Sequence, residues 1–204
     1  SHYGWRFAKE LLFLPKIYLP LMMSKEVTYN GLTFVPYIDN DRIEARISQI
    51  GAEITEEYSG RCPLIICVLN GAFPFAADLF RAINTDAEIA FIRLSSYQGT
   101  SSTGVVRKVM NLTNNIEGRD VIIVEDIIDT GHTICNLIDD LSARKPASLK
   151  VATLLFKPEA LEHPVKPDYV GFEIPKKFII GFGLDLDGLA RNLPDIWVLK
   201  EQKD

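Results

Sequence analysis

The chain of 204 residues carries 22 lysines and arginines against 27 aspartates and glutamates, a formal charge of −5, with 47% apolar and 24% charged residues. This balance fits one folded domain that buries a core without disulfide or metal staples, and it excludes disordered, collagen-like and mucin-like classes. With no basic run to neutralise a phosphate backbone, a dedicated nucleic-acid binder is excluded as well, so any phosphate held by this chain is held locally.

Residues 1–23 carry Arg6 and Lys9 and then an apolar run, an outline that imitates a secretory signal. Pro15, Lys16 and Pro20 interrupt the run, it is too short to cross a bilayer, and no small-residue cleavage site follows. It reads as an upstream extension, with the domain spanning 24–204, no membrane segment and a cytoplasmic location. The three cysteines, Cys62, Cys67 and Cys135, and the histidines His2, His132 and His163 have no zinc spacing. They read as reduced thiols and ordinary imidazoles. Cys135 has no base beside it in sequence to make it a nucleophile.

From residue 39 the pattern becomes regular. Ile43, Ile47, Ile50 and Ile54 recur at helical spacing over 39–58, with Asp39 or Asn40 placed to cap the start. Residues 63–69 are almost continuously apolar, which suits a strand buried on both faces of a parallel sheet. Gly71 breaks the run, and helical spacing returns over 73–83. A strand over 88–94 leads into a polar, glycine-bearing loop at 95–104. Residues 121–124 predict a third buried strand, 134–142 a helix and 150–156 a fourth strand. Residues 168–200 add short strands and turns around Gly171, Gly181, Gly183 and Gly188. Strands alternating with helices predict an α/β fold with a mainly parallel sheet.

The chemistry concentrates in residues 121–133, VIIVEDIIDTGHT. Four apolar residues bury the strand, and Glu125 and Asp126 follow near its carboxyl end, where open α/β sheets bind ligands. Asp129, Thr130, Gly131, His132 and Thr133 then form a short turn into a helix. Unpaired amides at a helix start, two hydroxyls and a glycine that permits close approach make an anion cradle. Two carboxylates repel a phosphate, so Glu125 and Asp126 suit ribose hydroxyls or a divalent cation. Together they suggest a sugar phosphate. The alternative is that Asp129 and Thr130 cap a helix while the acidic pair is a solvated strand end. Triphosphate-loop and dinucleotide glycine spacings are absent.

Residues 121–133 resemble the phosphoribosyl-pyrophosphate signature of the type I phosphoribosyltransferases, and roughly residues 28–200 resemble the hypoxanthine-guanine branch of that family. Supporting motifs are Val68-Leu69-Asn70-Gly71 with the following FAADL at 75–79, similar to the pyrophosphate loop; Ser95-Ser96-Tyr97, similar to the mobile-loop signature within 95–118; and 170–185, VGFEIPKKFIIGFGLD, similar to the purine hood. The resemblance implies a hood made from the N-terminal part and about 157–200. It also implies transfer of a ribosyl 5-phosphate from phosphoribosyl pyrophosphate to N9 of a 6-oxopurine, with Mg2+ as cofactor and a homodimer or homotetramer as assembly.

By the same resemblance, Asp129 is the catalytic base beside the purine N7. Glu125 and Asp126 hold the ribose hydroxyls and metal-linked waters, and residues 129–133 bind the 5-phosphate. Leu69, Asn70, Gly71, Ser96, Tyr97 and Arg191 meet pyrophosphate. Lys157 donates to the purine O6, Phe178 stacks on the ring, Ile179 presents backbone to its edge, and Asp185 borders the purine and binds the magnesium that holds pyrophosphate, the group Arg191 also grips. A lysine offers donors only, which suits a keto oxygen and rejects the 6-amino group of adenine.

Some positions depart from the family pattern. Asn70 replaces a common basic residue, and the peptide before it is commonly cis in the family. His132 stands where lysine is frequent; because a histidine changes charge close to neutrality, it predicts a phosphate affinity that rises below neutral pH. Asp187, after Asp185-Leu186, is either a second metal contact or a turn residue. A regulatory phosphoribosyl-pyrophosphate binder and a xanthine-preferring transferase remain as other readings of the same motifs.

Overall fold

The computed structural model describes residues 25–97, 106–110 and 112–201, with 95–97 and 106–110 entering by their backbone alone. The extension at 1–23 and much of the loop at 95–118 lie outside the described residues.

Period-two alternation inside two central strands sets the architecture. In β3 (Leu64–Leu69), Leu64 and Ile66 face one layer while Ile65 and Cys67 face the other. In β6 (Asp120–Ile128), Val121 and Ile123 are opposed to Ile122 and Val124 in the same way, and all eight side chains are fully buried. Strands apolar on both faces need helices above and below them. On one side lies α1 (Asn40–Glu57), whose Ile43, Ile47, Ile50 and Ile54 are all buried, packed with α2 (Phe73–Ala82). On the other lies α3 (His132–Ser142), through Ile134, Leu137 and Leu141. A fully buried isoleucine is worth about 1.5–3 kcal/mol, so each of these rows anchors its helix. Asp39 caps α1 by accepting from the Arg42 amide at 2.9 Å.

The main sheet runs β5-β4-β3-β6-β7-β8, adding β4 (Glu88–Tyr97), β5 (Val106–Met110), β7 (Ser148–Phe156) and β8 (Tyr169–Glu173). Its strands are parallel except for β5, which pairs antiparallel with β4 at the edge. A second, antiparallel sheet runs β1-β2-β10-β9, from β1 (Val27–Tyr29), β2 (Leu32–Ile38), β9 (Ile179–Ile180) and β10 (Ile196–Leu199). It has a core of its own, Phe34, Ile180, Ala190, Leu193 and Trp197.

Three boundaries differ from the sequence reading. Residues 95–97 are not loop: β4 continues to Tyr97 because β5 supplies a partner as far as the Tyr97–Val106 pair. The strand predicted at 121–124 extends from Asp120 to Ile128, since Glu125 pairs with Thr153 and Ile127 and Ile128 with Leu155 and Phe156 of β7. Glu125 and Asp126 therefore lie within the strand, and Glu125 is buried. Helix α3 begins at His132 rather than at 134, so the turn before it is only three residues long.

Candidate active site

Three segments converge beyond the carboxyl ends of β3 and β6: the β3–α2 connection, the β6–α3 turn and a hairpin around 183–191. They enclose a cavity of about 400 Å³. Leu69, Gly71, Glu125, Asp126, Asp129, Thr130, Gly131, Thr133, Asp185 and Arg191, all singled out in the sequence, line it, and Val68, Leu94 and Ile127 add an apolar wall.

The helix end of the cavity is built for an anion. Gly131 precedes α3 with φ +83°, a left-handed conformation that side chains resist, and no side chain caps the helix. The His132 amide lies 3.4 Å from Thr130 Oγ1. A Cβ on Gly131 would stand 3.0 Å from the carbonyl oxygen of His163 and 3.2 Å from Leu161 and Val165. Glycine is thus dictated by both conformation and space.

The opposite wall is acidic. Asp126 Oδ1 accepts from the Ile127 amide at 2.8 Å, and its Oδ2 is so close to Gly71 that a Cβ there would approach to 1.7 Å. Burial pushes the Asp126 carboxyl above the usual range, opposed by its backbone hydrogen bonds and the Arg191 charge and assisted by Asp185. Beneath it, burial and then the charges of Glu125 and Asp126 push the Cys67 thiol up to about 12, so this cysteine is no nucleophile. Arg191 Nη2 pairs with Asp185 Oδ1 at 2.8 Å, and Nη1 donates to the Gly183 carbonyl at 2.6 Å. Asp185 Oδ2 accepts from the Gly188 amide at 2.7 Å. Gly183 in turn sits where a Cβ would meet the Gly71 carbonyl at 2.0 Å. Two glycines therefore let the hairpin bearing Asp185 and Arg191 dock against the β3–α2 connection.

Lys157 is outside the lining but pairs with a residue of it, its Nζ 2.9 Å from Asp129 Oδ2; the lysine side chain is 8% exposed and the aspartate 46%. Lys157 follows β7 directly, and its amide donates to the Ile128 carbonyl at 2.9 Å, which fixes its place beside the turn. Phe178 is exposed, its ring 6.0 Å from that of Phe34, and its carbonyl accepts from the Leu199 amide. Ile179 is buried in β9. Neither lines the cavity. Asn70 is exposed after a cis Leu69–Asn70 peptide, and its side chain is not part of the lining. The side chains of Ser96 and Tyr97 lie outside the described residues.

Two candidates point elsewhere. The His132 imidazole, expected at the phosphate, is absent from the lining and contacts His163 and Asn136, each at 3.2 Å. The Asp187 carboxylate accepts from Asn30 Nδ2 at 2.7 Å, making it a tie to the β1–β2 hairpin. His163 and Asn30 carry no signal in the sequence that links them to these partners.

In and beside the cavity, the carboxylates of Glu125, Asp126, Asp129 and Asp185 face the cations of Arg191 and Lys157. That leaves a formal excess of two negative charges in a partly desolvated space. Among the described residues no three carboxylate, thiol or imidazole groups gather as a metal site, so a hard divalent cation here would be held by one or two of these carboxylates together with water and substrate oxygens.

A profile of the phosphoribosyl transferase domain matches residues 37–187. The hypoxanthine-guanine phosphoribosyltransferase of Streptococcus thermophilus is 47% identical over 161 residues, covering 78% of this chain and 89% of that protein. Among solved structures, a hypoxanthine-guanine phosphoribosyltransferase of Bacillus anthracis aligns with a TM-score of 0.75 at 39% identity, over 81% of this chain and 98% of that one. The hypoxanthine phosphoribosyltransferase of Trypanosoma cruzi, in complex with the product IMP, aligns with a TM-score of 0.76 at 38% identity, over 85% and 97%. The acidic strand end, the uncapped helix turn and these likenesses agree, and the chain belongs to the hypoxanthine-guanine branch of the type I phosphoribosyltransferase family.

Proposed function

We propose that this protein is a purine salvage transferase that moves the 5-phosphoribosyl group from phosphoribosyl pyrophosphate to N9 of hypoxanthine and guanine, giving IMP or GMP and pyrophosphate. The observation that carries this reading is one cavity with an anion cradle at one end, an acidic wall at the other, and Lys157 paired with Asp129 of its lining. The amides of 129–133 bind the 5-phosphate, and Glu125 and Asp126 accept from the ribose hydroxyls. Asp129 takes the proton that the purine loses, and Lys157 exchanges Asp129 for the purine O6. An ammonium facing the 6-amino group of adenine sets donor against donor, so adenine is rejected. Phe178 and Ile179 belong to the base side, in a hood made from the N-terminal part and about 157–200. Arg191, with Leu69 to Gly71 and Ser96 and Tyr97, belongs to the pyrophosphate side.

As the ribose gains oxocarbenium character and the leaving group gains charge, catalysis rests on dipoles and charges placed before the reaction begins. Mg2+ fits the acidic excess. Asp185, Glu125 and Asp126 are the residues to hold it, directly or through water, and when bound it neutralises pyrophosphate charge. The protein acts as a homodimer or homotetramer in the cytoplasm; among the described residues no helix is long and apolar enough to cross a membrane.

Incubation with labelled phosphoribosyl pyrophosphate, Mg2+ and, separately, hypoxanthine, guanine, xanthine and adenine tests the reading. Nucleotide should form with hypoxanthine and guanine and not with adenine; no nucleotide with any base overturns it. Asp129→Asn should lower turnover by about 100-fold or more, the scale of a lost general base, while phosphoribosyl pyrophosphate still binds.

A further inference from the structure

The loop at 161–166 makes contacts that the proposed chemistry leaves without a role. Glu162 and His163 both donate their amides to the Thr130 carbonyl, at 2.9 and 3.1 Å. The His163 carbonyl closes the space behind Gly131, and Cys135 Sγ lies 3.7 Å from the Pro164 carbonyl. The only side-chain hydrogen bond among these contacts that reaches the first residue of α3 is His163 Nε2 to His132 Nδ1 at 3.2 Å, with ring centroids 5.0 Å apart and tilted by 55°. His132 Nε2 is 3.2 Å from Asn136 Nδ2. One donor pattern satisfies the whole chain: Asn136 donates to Nε2 of His132, and Nδ1–H of His132 donates to His163. Consecutive turn residues 130, 131 and 132 are thus gripped from behind by one loop, on the side away from the cavity.

We propose that His163 is a positioning residue for the 5-phosphate: through the His132 imidazole it fixes the start of α3, and so aims the amides that receive the ester. It touches no substrate. The inference rests on the phosphoribosyl reading above and assigns a part to a residue 31 positions from the turn. An anion cradle made of amides depends on orientation, because each N–H contributes only when directed at the oxygen it meets. The backbone contacts of residue 163 persist whatever its side chain, so substitution isolates the imidazole–imidazole bond.

The experiment compares wild type with His163→Ala, His163→Gln, His132→Ala and the double alanine variant. Binding of phosphoribosyl pyrophosphate with Mg2+ is measured by calorimetry, and kcat and both KM values by steady-state kinetics. His163→Ala should weaken phosphoribosyl pyrophosphate about fivefold, the scale of one hydrogen bond, while kcat and the purine KM stay within about twofold. His163→Gln, whose amide oxygen can accept from His132, should recover most of the loss. Adding His163→Ala to His132→Ala should have no further effect, because the two act through one bond. Should the alanine variant fail to fold, His163→Phe keeps the ring and removes the nitrogen. Unchanged affinity in folded His163→Ala, equal losses in kcat and both KM values, or additive effects overturn the assignment. Absence of phosphoribosyl pyrophosphate binding to wild type overturns the functional reading itself, and this one with it.

Discussion

Lys157→Met separates base recognition from folding. Methionine retains an unbranched apolar stem and loses the ammonium. In the free protein that ammonium is 2.9 Å from Asp129, whose carboxylate is 46% exposed, so the pair is screened on one side. Losing it costs about 1 kcal/mol or less in stability, offset in part because a side chain only 8% exposed no longer brings a charge out of water. In the proposed reaction the same ammonium donates to the purine O6, and a hydrogen bond from a charged donor is worth about 1.5–3 kcal/mol. The variant should therefore lose about 10- to 150-fold in kcat/KM for hypoxanthine and guanine, with a urea midpoint close to wild type. Discrimination against adenine should collapse by a comparable factor, since no donor remains to oppose the 6-amino group. Initial rates with the three bases at saturating phosphoribosyl pyrophosphate measure this. A loss under about threefold for hypoxanthine, or an unchanged preference over adenine, refutes the placement of Lys157 at O6.

Gly71→Ala should destabilise by about 3 kcal/mol, the upper end of overpacking, and abolish phosphoribosyl pyrophosphate binding, because its Cβ falls 1.7 Å from Asp126 Oδ2; urea unfolding and calorimetry check both parts. Asp126→Asn should raise the urea midpoint at neutral pH while activity falls. The native carboxyl is held above its unfolded value by burial, so stability is lost as pH rises from the unfolded value through the raised one, and the variant's advantage should vanish below about pH 4, where both states are protonated. Glu57→Gln tests the opposite sign. Hydrogen bonds from Lys150 and then Tyr169 lower the Glu57 pKa, so its stabilisation, about 1 kcal/mol or less for a partly exposed group, is complete above pH about 4.3 and fades as pH falls. The melting-temperature gap between wild type and Glu57→Gln should be constant from pH 6 to 8 and close towards pH 3; a gap that widens on acidification contradicts it.

What could be read before the structure depended on how local its cause is. The four isoleucines of α1 and the apolar runs of β3 and β6 declare themselves because burial on a helix or strand imposes a period within a few residues. The extension of β6 through Glu125 and Asp126 did not, since a carboxylate carries no strand signal and the ladder there is set by Thr153 and Leu155 of β7. The β5 edge strand was missed for a similar reason: what makes it a strand is β4 opposite. The acidic pair and the turn were legible as candidates because their chemistry and order form a motif, and Asp185 through its resemblance to the purine hood; His132 apart, all of them line the one cavity. His163 was not legible, because only the fold brings it to the His132 imidazole, and a helix-start residue can present its side chain one way and its amide the other. Asp187 is the exposed turn residue that the sequence allowed, and only the fold shows its partner Asn30, 157 positions away.

The smaller sheet draws β1 and β2 from one end of the described chain and β9 and β10 from the other, with β10 between β2 and β9. During synthesis the parallel sheet can assemble as its strands leave the ribosome, each beside one already made, whereas β2 must wait with an open edge until β10 emerges. A nascent chain of this protein thus passes through a stage in which its larger sheet is formed and its smaller sheet is not. That interval is when a chaperone, or another nascent chain, has an unpaired edge to take hold of.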